Sequence, residues 1–188
     1  VNLVHNGREV TPHLNELART GLRMTHAYSQ STHTDYAEPS IVSSLYPART
    51  RRHHYYQSSD PWPKTLIYDL LKRAGYATAL ASSENLGWGA MDKFFQSPSL
   101  DFVYEAQHSN EPTVVPDQDG GFVFETTTGP LRAGKLDDRV TTTQAIGWIS
   151  QQIARQRPFF LYMDLQSSHF PYPIGPAADR PFQPCDFS

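Results

Sequence analysis

Residues 159–165 read FFLYMDL, between Pro158 and Gln166. A run apolar at nearly every position cannot leave one face in water, so it predicts a strand covered on both faces. The stretch before it, residues 137–156, carries Val140, Ile146, Ile149 and Ile153 in helical register, and Pro158 ends that helix. A long helix feeding a doubly covered strand is a building unit of parallel sheets. This pairing more than any other limits what the chain can fold into.

The same signals recur upstream. Thr11-Pro12 opens a helix, since Thr can cap and Pro is tolerated in the first turn. Leu14, Leu17 and Ala18 form its apolar stripe and Gly21 is its stop. Residues 22–27 (LRMTHA) alternate like a short strand, and a helix is expected at about residues 39–45, ended by Pro47. Residues 64–74 form another helix, with Leu66, Ile67, Leu70 and Leu71 as its buried face and Gly75 as its end. Residues 76–81 (YATALA) read as the next strand. Residues 97–135 are rich in Pro, Gly, Thr and Asp, show no period, and read as a long surface excursion. The order predicts an α/β fold with a mostly parallel sheet, whose ligands gather beyond the carboxyl ends of strands.

Composition bounds the function. A chain of 188 residues with 38% hydrophobic and 12% aromatic content can bury a core. A net charge of −3 gives no reason to expect nucleic acid, and the local cluster Arg49, Arg51, Arg52, His53 and His54 reads as a solvated loop. With Cys185 alone, no disulfide can form within the chain. No run approaches the ~20 apolar residues of a membrane span.

Chemistry concentrates in residues 28–49, YSQSTHTDYAEPSIVSSLYPAR. Four hydroxyls (Ser29, Ser31, Thr32, Thr34), His33, Asp35 and Glu38 precede a short apolar run. A polar cluster opening a helix can host a nucleophile beside a metal or an anion, although a Thr there also serves as a plain cap. A second reactive stretch, Gln166-Ser167-Ser168-His169-Phe170-Pro171-Tyr172, follows the FFLYMDL strand.

Together these segments resemble the sulfatase family of the alkaline phosphatase superfamily, over nearly the whole chain. TPHLNELARTGLRMTHAYS is similar to the segment before the family's nucleophile. TLIYDLLKRAGYATAL is similar to its TL…LK..GY.TA helix and strand, and RPFFLYMDLQSSHFPY to its PFFL strand and H-x-P-Y element. The formylglycine motif C/S-x-P-S-R is absent. Counting back from Tyr46-Pro47 puts Thr34 at the nucleophile position, whereas taking Pro39-Ser40 as the motif's P-S puts Ala37 there, which has no nucleophilic atom. The run Thr34-Asp35-Tyr36-Ala37-Glu38, then Ser43-Ser44-Leu45-Tyr46-Pro47, resembles the lipoteichoic acid synthase and phosphoglycerol transferase subgroup, which uses an unmodified Thr.

The resemblance implies an alkaline-phosphatase-like three-layer sandwich, present only in part. Residues 1–188 are then one partial catalytic domain, without the family's first strand and C-terminal half. It implies Thr34 as nucleophile and metal ligand, and His169 as the residue meeting substrate or leaving group. A divalent ion (Mn, Mg, Ca or Zn) is implied, most of its ligands lying outside the chain. A Thr hydroxyl needs such activation to attack. Where the family has the Lys and His of G-K-W-H-L-G, this chain has Ser82-Ser83-Glu84-Asn85-Leu86-Gly87, which makes Ser83, Asn85 and Trp88 candidates for the substrate pocket. The implied substrate is a small-molecule, glycan or lipid ester, and the implied location is extracytoplasmic, with room for a membrane anchor in a longer parent. A catalytically inactive domain that binds an anionic glycan or lipid headgroup is the competing expectation.

Overall fold

The computed structural model describes residues 3–47, 64–88, 91–115 and 134–169. The basic cluster at residues 49–54, the middle of the 97–135 excursion, the 170–172 end of the H-x-P-Y element and Cys185 lie outside the described residues. The chain forms two compact units, residues 1–29 with 174–188, and residues 30–173.

In the first unit, β1 (Val4–His5) and β2 (Arg8–Glu9) form an antiparallel hairpin. Its two-residue turn is Asn6-Gly7, both at positive φ, the backbone that the right-handed strand twist favours in such a turn. Helix α1 (Pro12–Thr20) starts and stops where Thr11-Pro12 and Gly21 predict. Its stripe departs from expectation: Leu14 and Leu17 are exposed, and the buried side chain is Asn15. The predicted strand at residues 22–27 does not form. Leu22 and Met24 are exposed and no described strand pairs with them. Alternation alone does not make a strand, because its backbone groups need a ladder partner.

The second unit is built on a parallel sheet. Strand β3 (Ala77–Ser82) lies between β4 (Phe102–Tyr104) and β7 (Phe159–Asp164). All of β3 is buried, while β7 is half-buried along its whole length. Coverage on both faces, expected of residues 159–165, is met in full by the central strand instead. Strand β4 sits inside the stretch read as irregular, and three residues are too few to display a period.

Successive strand residues face opposite sides. Leu80, Phe160 and Tyr162 pack with Val42, Leu66, Tyr68, Met91, Phe94 and Phe95, from α2 (Thr34–Ser43), α4 (Met91–Phe95) and the chain around α3 (Ile67–Arg73). Ala77, Ala79, Phe159 and Leu161 pack instead with Trp148 and Ile149 of α5 (Asp138–Ala154). Two separate clusters on the two faces make three layers. The alanines of β3 leave room for the Trp148 indole, which stacks on Phe102 with centroids 6.0 Å apart and meets Phe159 edge-on at 5.8 Å.

Helix boundaries follow local chemistry more closely than buried faces do. Helix α3 ends in a Schellman motif: Tyr76 N–H donates to the Leu71 carbonyl and Gly75 N–H to that of Lys72, with Gly75 at φ 90. Helix α5 ends the same way, with Arg157 bonded to Gln152 and Gln156 to Ile153, but Gln156 takes the left-handed position at φ 51. Its buried residues are Thr141, Ala145, Trp148 and Gln152, whereas Ile146 and Ile153 are exposed. In α3, Leu66 and Tyr68 are buried and Leu70 is exposed. Helix α2 begins at Thr34, earlier than the predicted Pro39, and ends at Ser44 in the left-handed region. Pro39 lies inside α2, where it cannot donate to the Asp35 carbonyl.

Candidate active site

Strands β3 and β7 run side by side and deliver two loops to the same end of the sheet. The β3 loop, Ser83-Glu84-Asn85, is tied up internally. Ser83 is fully buried; its Oγ donates to Thr141 Oγ1 at 2.8 Å, and its carbonyl accepts the Leu136 N–H at 2.8 Å. Asn85, also buried, donates from Nδ2 to Gln107 Oε1 at 2.8 Å and accepts the Gly87 N–H on Oδ1 at 2.7 Å. Trp88 is half-buried and packs against the α2–α4 core cluster. The geometry therefore gives Ser83 and Asn85 architectural contacts, with Thr141 of α5, Leu136, Gln107 and Gly87.

The β7 loop is held from outside. Asp138, in the first turn of α5, accepts the Gln166 N–H at 2.8 Å on one oxygen and the Ser167 N–H at 2.9 Å on the other. Burial alone would raise the Asp138 carboxyl, but hydrogen bonds from Ser167 and Gln166 hold it below its usual range. The His169 N–H closes a turn on the Gln166 carbonyl at 3.0 Å, and the His169 ring remains exposed. Lys135 reaches this loop from β6 (Lys135–Leu136), which pairs antiparallel with β5 (Thr113–Val115). Its Nζ lies 2.9 Å from Gln166 Oε1 and 2.7 Å from His169 Nδ1.

Between the loops is a cluster of carboxyl groups. Asp164, the last residue of β7, accepts from Ser82 Oγ at 2.8 Å and from Gln166 Nε2 at 2.9 Å. Burial raises the Asp164 carboxyl, with Lys135 acting in the opposite direction. Burial and the Asp164 charge push Glu84 to about 7, again against Lys135. Glu38, on α2, is pushed to about 8 by burial, then by Asp164 and Glu84. Its Oε2 is buried and has no hydrogen-bond partner among the described residues. Like charges in low dielectric favour the protonated form, and of these three carboxyls Asp164 and Glu84 feel the neighbouring Lys135 ammonium.

Thr34 is the first residue of α2 and is half-buried. Glu38 follows it by four positions and so lies on the same helical face. Ala37 sits within the first turn, its N–H bonded to the His33 carbonyl at 2.9 Å. Through Glu38, α2 enters the cluster that Asp164, Gln166 and Lys135 extend to His169.

Lys135, Asp138 and Asp164 are members of this cluster that the sequence reading does not propose for the site. Asp164 has a readable signal, being the lone acid in an apolar strand. Lys135 has none, because it lies in a stretch without period.

The sulfatase family's sequence profile matches residues 1–185. The chain belongs to the sulfatase family. Its similar relatives include the N-acetylgalactosamine-6-sulfatase of Canis lupus familiaris, 27% identical over 92% of this chain and 37% of the relative. The enzymes of the same name from Sus scrofa and Homo sapiens are 24% and 26% identical, over 86% and 92% of this chain and 35% and 36% of the relatives. The chain thus spans little more than a third of the length of these proteins. Among solved structures, it resembles the lipoteichoic acid synthase LtaP from Listeria monocytogenes, with a TM-score of 0.65 and 21% identity over 91% of this chain and 38% of that one. A protein of the alkaline phosphatase superfamily from Vibrio parahaemolyticus gives 0.62 and 22%, over 88% and 36%. The fold is thus the partial alkaline-phosphatase-like α/β architecture expected of a sulfatase-family chain.

Among the described residues, no group of three His, Cys, Asp or Glu side chains is arranged to hold a metal ion. The carboxyls of Glu38, Glu84 and Asp164 interact electrostatically without forming a coordination shell. The described residues alone do not fit the family's metal centre. No described helix is long and apolar enough to cross a membrane.

Proposed function

We propose that the protein carrying this chain is a sulfatase-family hydrolase or transferase that cleaves sulfate or phosphate esters through a covalent intermediate on Thr34. The observation that carries the reading is the continuity of the cluster from α2 to His169. Thr34 opens the helix whose Glu38 meets Asp164 and Glu84, and the same group reaches His169 through Gln166 and Lys135. Two segments more than a hundred residues apart thereby belong to one polar assembly at the carboxyl end of the sheet.

In this reading Thr34 Oγ1 forms the new bond to sulfur or phosphorus as the bond to the ester's alcohol oxygen breaks, and the Thr34 hydroxyl proton passes through solvent to that oxygen, which leaves as the alcohol. The start of α2 offers a helix N-terminus, where an anion is favoured. His169, exposed on its turn, meets the leaving oxygen. Ser83 and Asn85 shape the neighbouring loop, and Trp88 contributes an apolar wall. Substrates are small-molecule, glycan or lipid esters handled outside the cytoplasm. The divalent ion of the proposal takes further ligands from beyond the described residues.

The test uses the full-length natural protein with Mn²⁺ or Mg²⁺, assayed on an aryl sulfate and on phosphodiester and phosphatidylglycerol substrates. A covalent adduct on Thr34, seen by peptide mass after acid quench, and its loss in Thr34→Ala are expected. Sulfatase or phosphodiesterase activity that survives Thr34→Ala refutes the nucleophile. Retained binding of the anionic substrate without turnover by the wild type favours an inactive binding domain.

A further inference from the structure

We propose that Lys135 is a positioning residue that holds His169 in one neutral tautomer, protonated on Nε2, so that His169 meets an ester as a hydrogen-bond donor. This deepens, and rests on, the reading of the β7 loop as part of an ester-cleaving site. A lysine ammonium has three donors and no acceptor. With Lys135 Nζ 2.7 Å from His169 Nδ1, the ring nitrogen must be the acceptor, which leaves the ring proton on Nε2. His169 is an exposed residue on its turn.

The arrangement is anchored on both sides. The Lys135 side chain is buried, and its ammonium also donates to Gln166 Oε1 at 2.9 Å. Gln166 is buried as well, fixed by Asp164 through its side chain and by Asp138 through its backbone. The His169 backbone is fixed to Gln166 by the turn hydrogen bond. Lysine and imidazole thus approach from different elements, each tied to Gln166. The Asp164 and Glu84 charges offset the cost of keeping an ammonium inside.

The consequence is chemical. A ring already protonated at Nε2 can hydrogen-bond an anionic or leaving oxygen, but it is wrongly protonated at that nitrogen to act as a base toward the Thr34 hydroxyl. The chain lacks the family's Lys and His in its β3 loop, and the structure builds a different Lys–His pair from β6 and the β7 loop.

The test measures the ring ¹⁵N shifts of His169 in the full-length protein near neutral pH, with kcat/KM on the best ester substrate. The wild type is expected to show the Nε2–H tautomer. Lys135→Met is expected to lose that preference and about 10- to 100-fold in kcat/KM, a range typical of removing a partner that orients a site histidine. Lys135→Arg, which keeps a charged donor, is expected to recover the tautomer and most of the rate. A wild-type Nδ1–H tautomer overturns the proposal whatever the variants do, so a poorly folding Lys135→Met does not shield it. Unchanged tautomer and rate in a folded Lys135→Met also overturn it. The Nε2–H tautomer in a wild type that turns over no ester supports the positioning and counts against the functional reading alone.

Discussion

The loops after β3 and β7 leave adjacent strands at the same end of one sheet, yet they are built in opposite ways. The β3 loop buries its polar side chains with their hydrogen bonds already made: Ser83 with Thr141 of α5, Asn85 with Gln107 and Gly87. Its side chains are buried, so altering them changes shape and stability first. The β7 loop is gripped by Asp138 and Lys135 and leaves His169 exposed. Polar residues at a strand end thus serve two purposes, and only their partners tell which. A hydroxyl or amide whose hydrogen bonds are already made has little left for a ligand.

The contrast breaks most directly at His169. His169→Ala is expected to lower kcat/KM by about 10²- to 10³-fold, the range for removing one hydrogen-bond donor aimed at developing charge, with the melting temperature changed little because His169 is exposed. Equal losses of stability and rate would erase the distinction between the loops. Asn85→Ala should do the reverse. It removes the acceptor of a buried Gly87 N–H and is expected to cost about 1–3 kcal/mol in urea unfolding, with kcat/KM of the folded fraction largely kept. A specific loss of substrate affinity without loss of stability would return Asn85 to the substrate pocket.

The carboxyl cluster joining the loops sets a pH dependence. Glu38 and Glu84 are raised from 4.5 to about 8 and about 7, mainly by burial. A carboxyl raised in the folded state favours folding fully below its unfolded value, and that stability is lost as pH rises through the folded value. Metal-free protein should therefore lose stability between about pH 4.5 and pH 8, and Glu38→Gln, which mimics the protonated form, should flatten the loss in thermal melts. A Glu38→Gln profile parallel to the wild type would show that Glu38 is ionised in the fold. The smallest effect is expected at the α5 terminus, away from both loops. Gln156→Gly relieves a left-handed non-glycine backbone and should stabilise the protein by about 1 kcal/mol in the same unfolding assay, without change in kcat/KM.

Much of the local architecture was legible in the residues themselves. Thr11-Pro12 and Gly21 bracket α1, Gly75 ends α3, and residues 159–165 announce β7 within one position. These signals act through backbone geometry over a few residues, so they need no knowledge of the rest of the chain. Faces were read less well. Ile146, Ile149 and Ile153 share a helical register, but the small Ala77 and Ala79 of β3 admit Trp148, and α5 buries the set one position away, Thr141, Ala145, Trp148 and Gln152. The strand expected at residues 22–27 failed because pairing depends on a neighbour that its own sequence does not encode.

The candidate site divides along the same line. Thr34 and His169 could be picked out because the segments around them, the Thr-Asp-Tyr-Ala-Glu run and the His-Phe-Pro-Tyr element, resemble those of the sulfatase family. Ser83 and Asn85 were picked out by position in the loop, and the fold spends them on internal hydrogen bonds. Lys135 could not be picked out, since its importance lies in a contact with a residue 34 positions away. The sequence by itself determined the ends of α1, α3 and α5 and the places of β3 and β7. Only the tertiary structure decided which polar groups are satisfied, which are exposed, and that an ammonium rests against His169. Hydrogen bonding and desolvation at a strand end depend on whatever the fold brings alongside, and no local pattern records that.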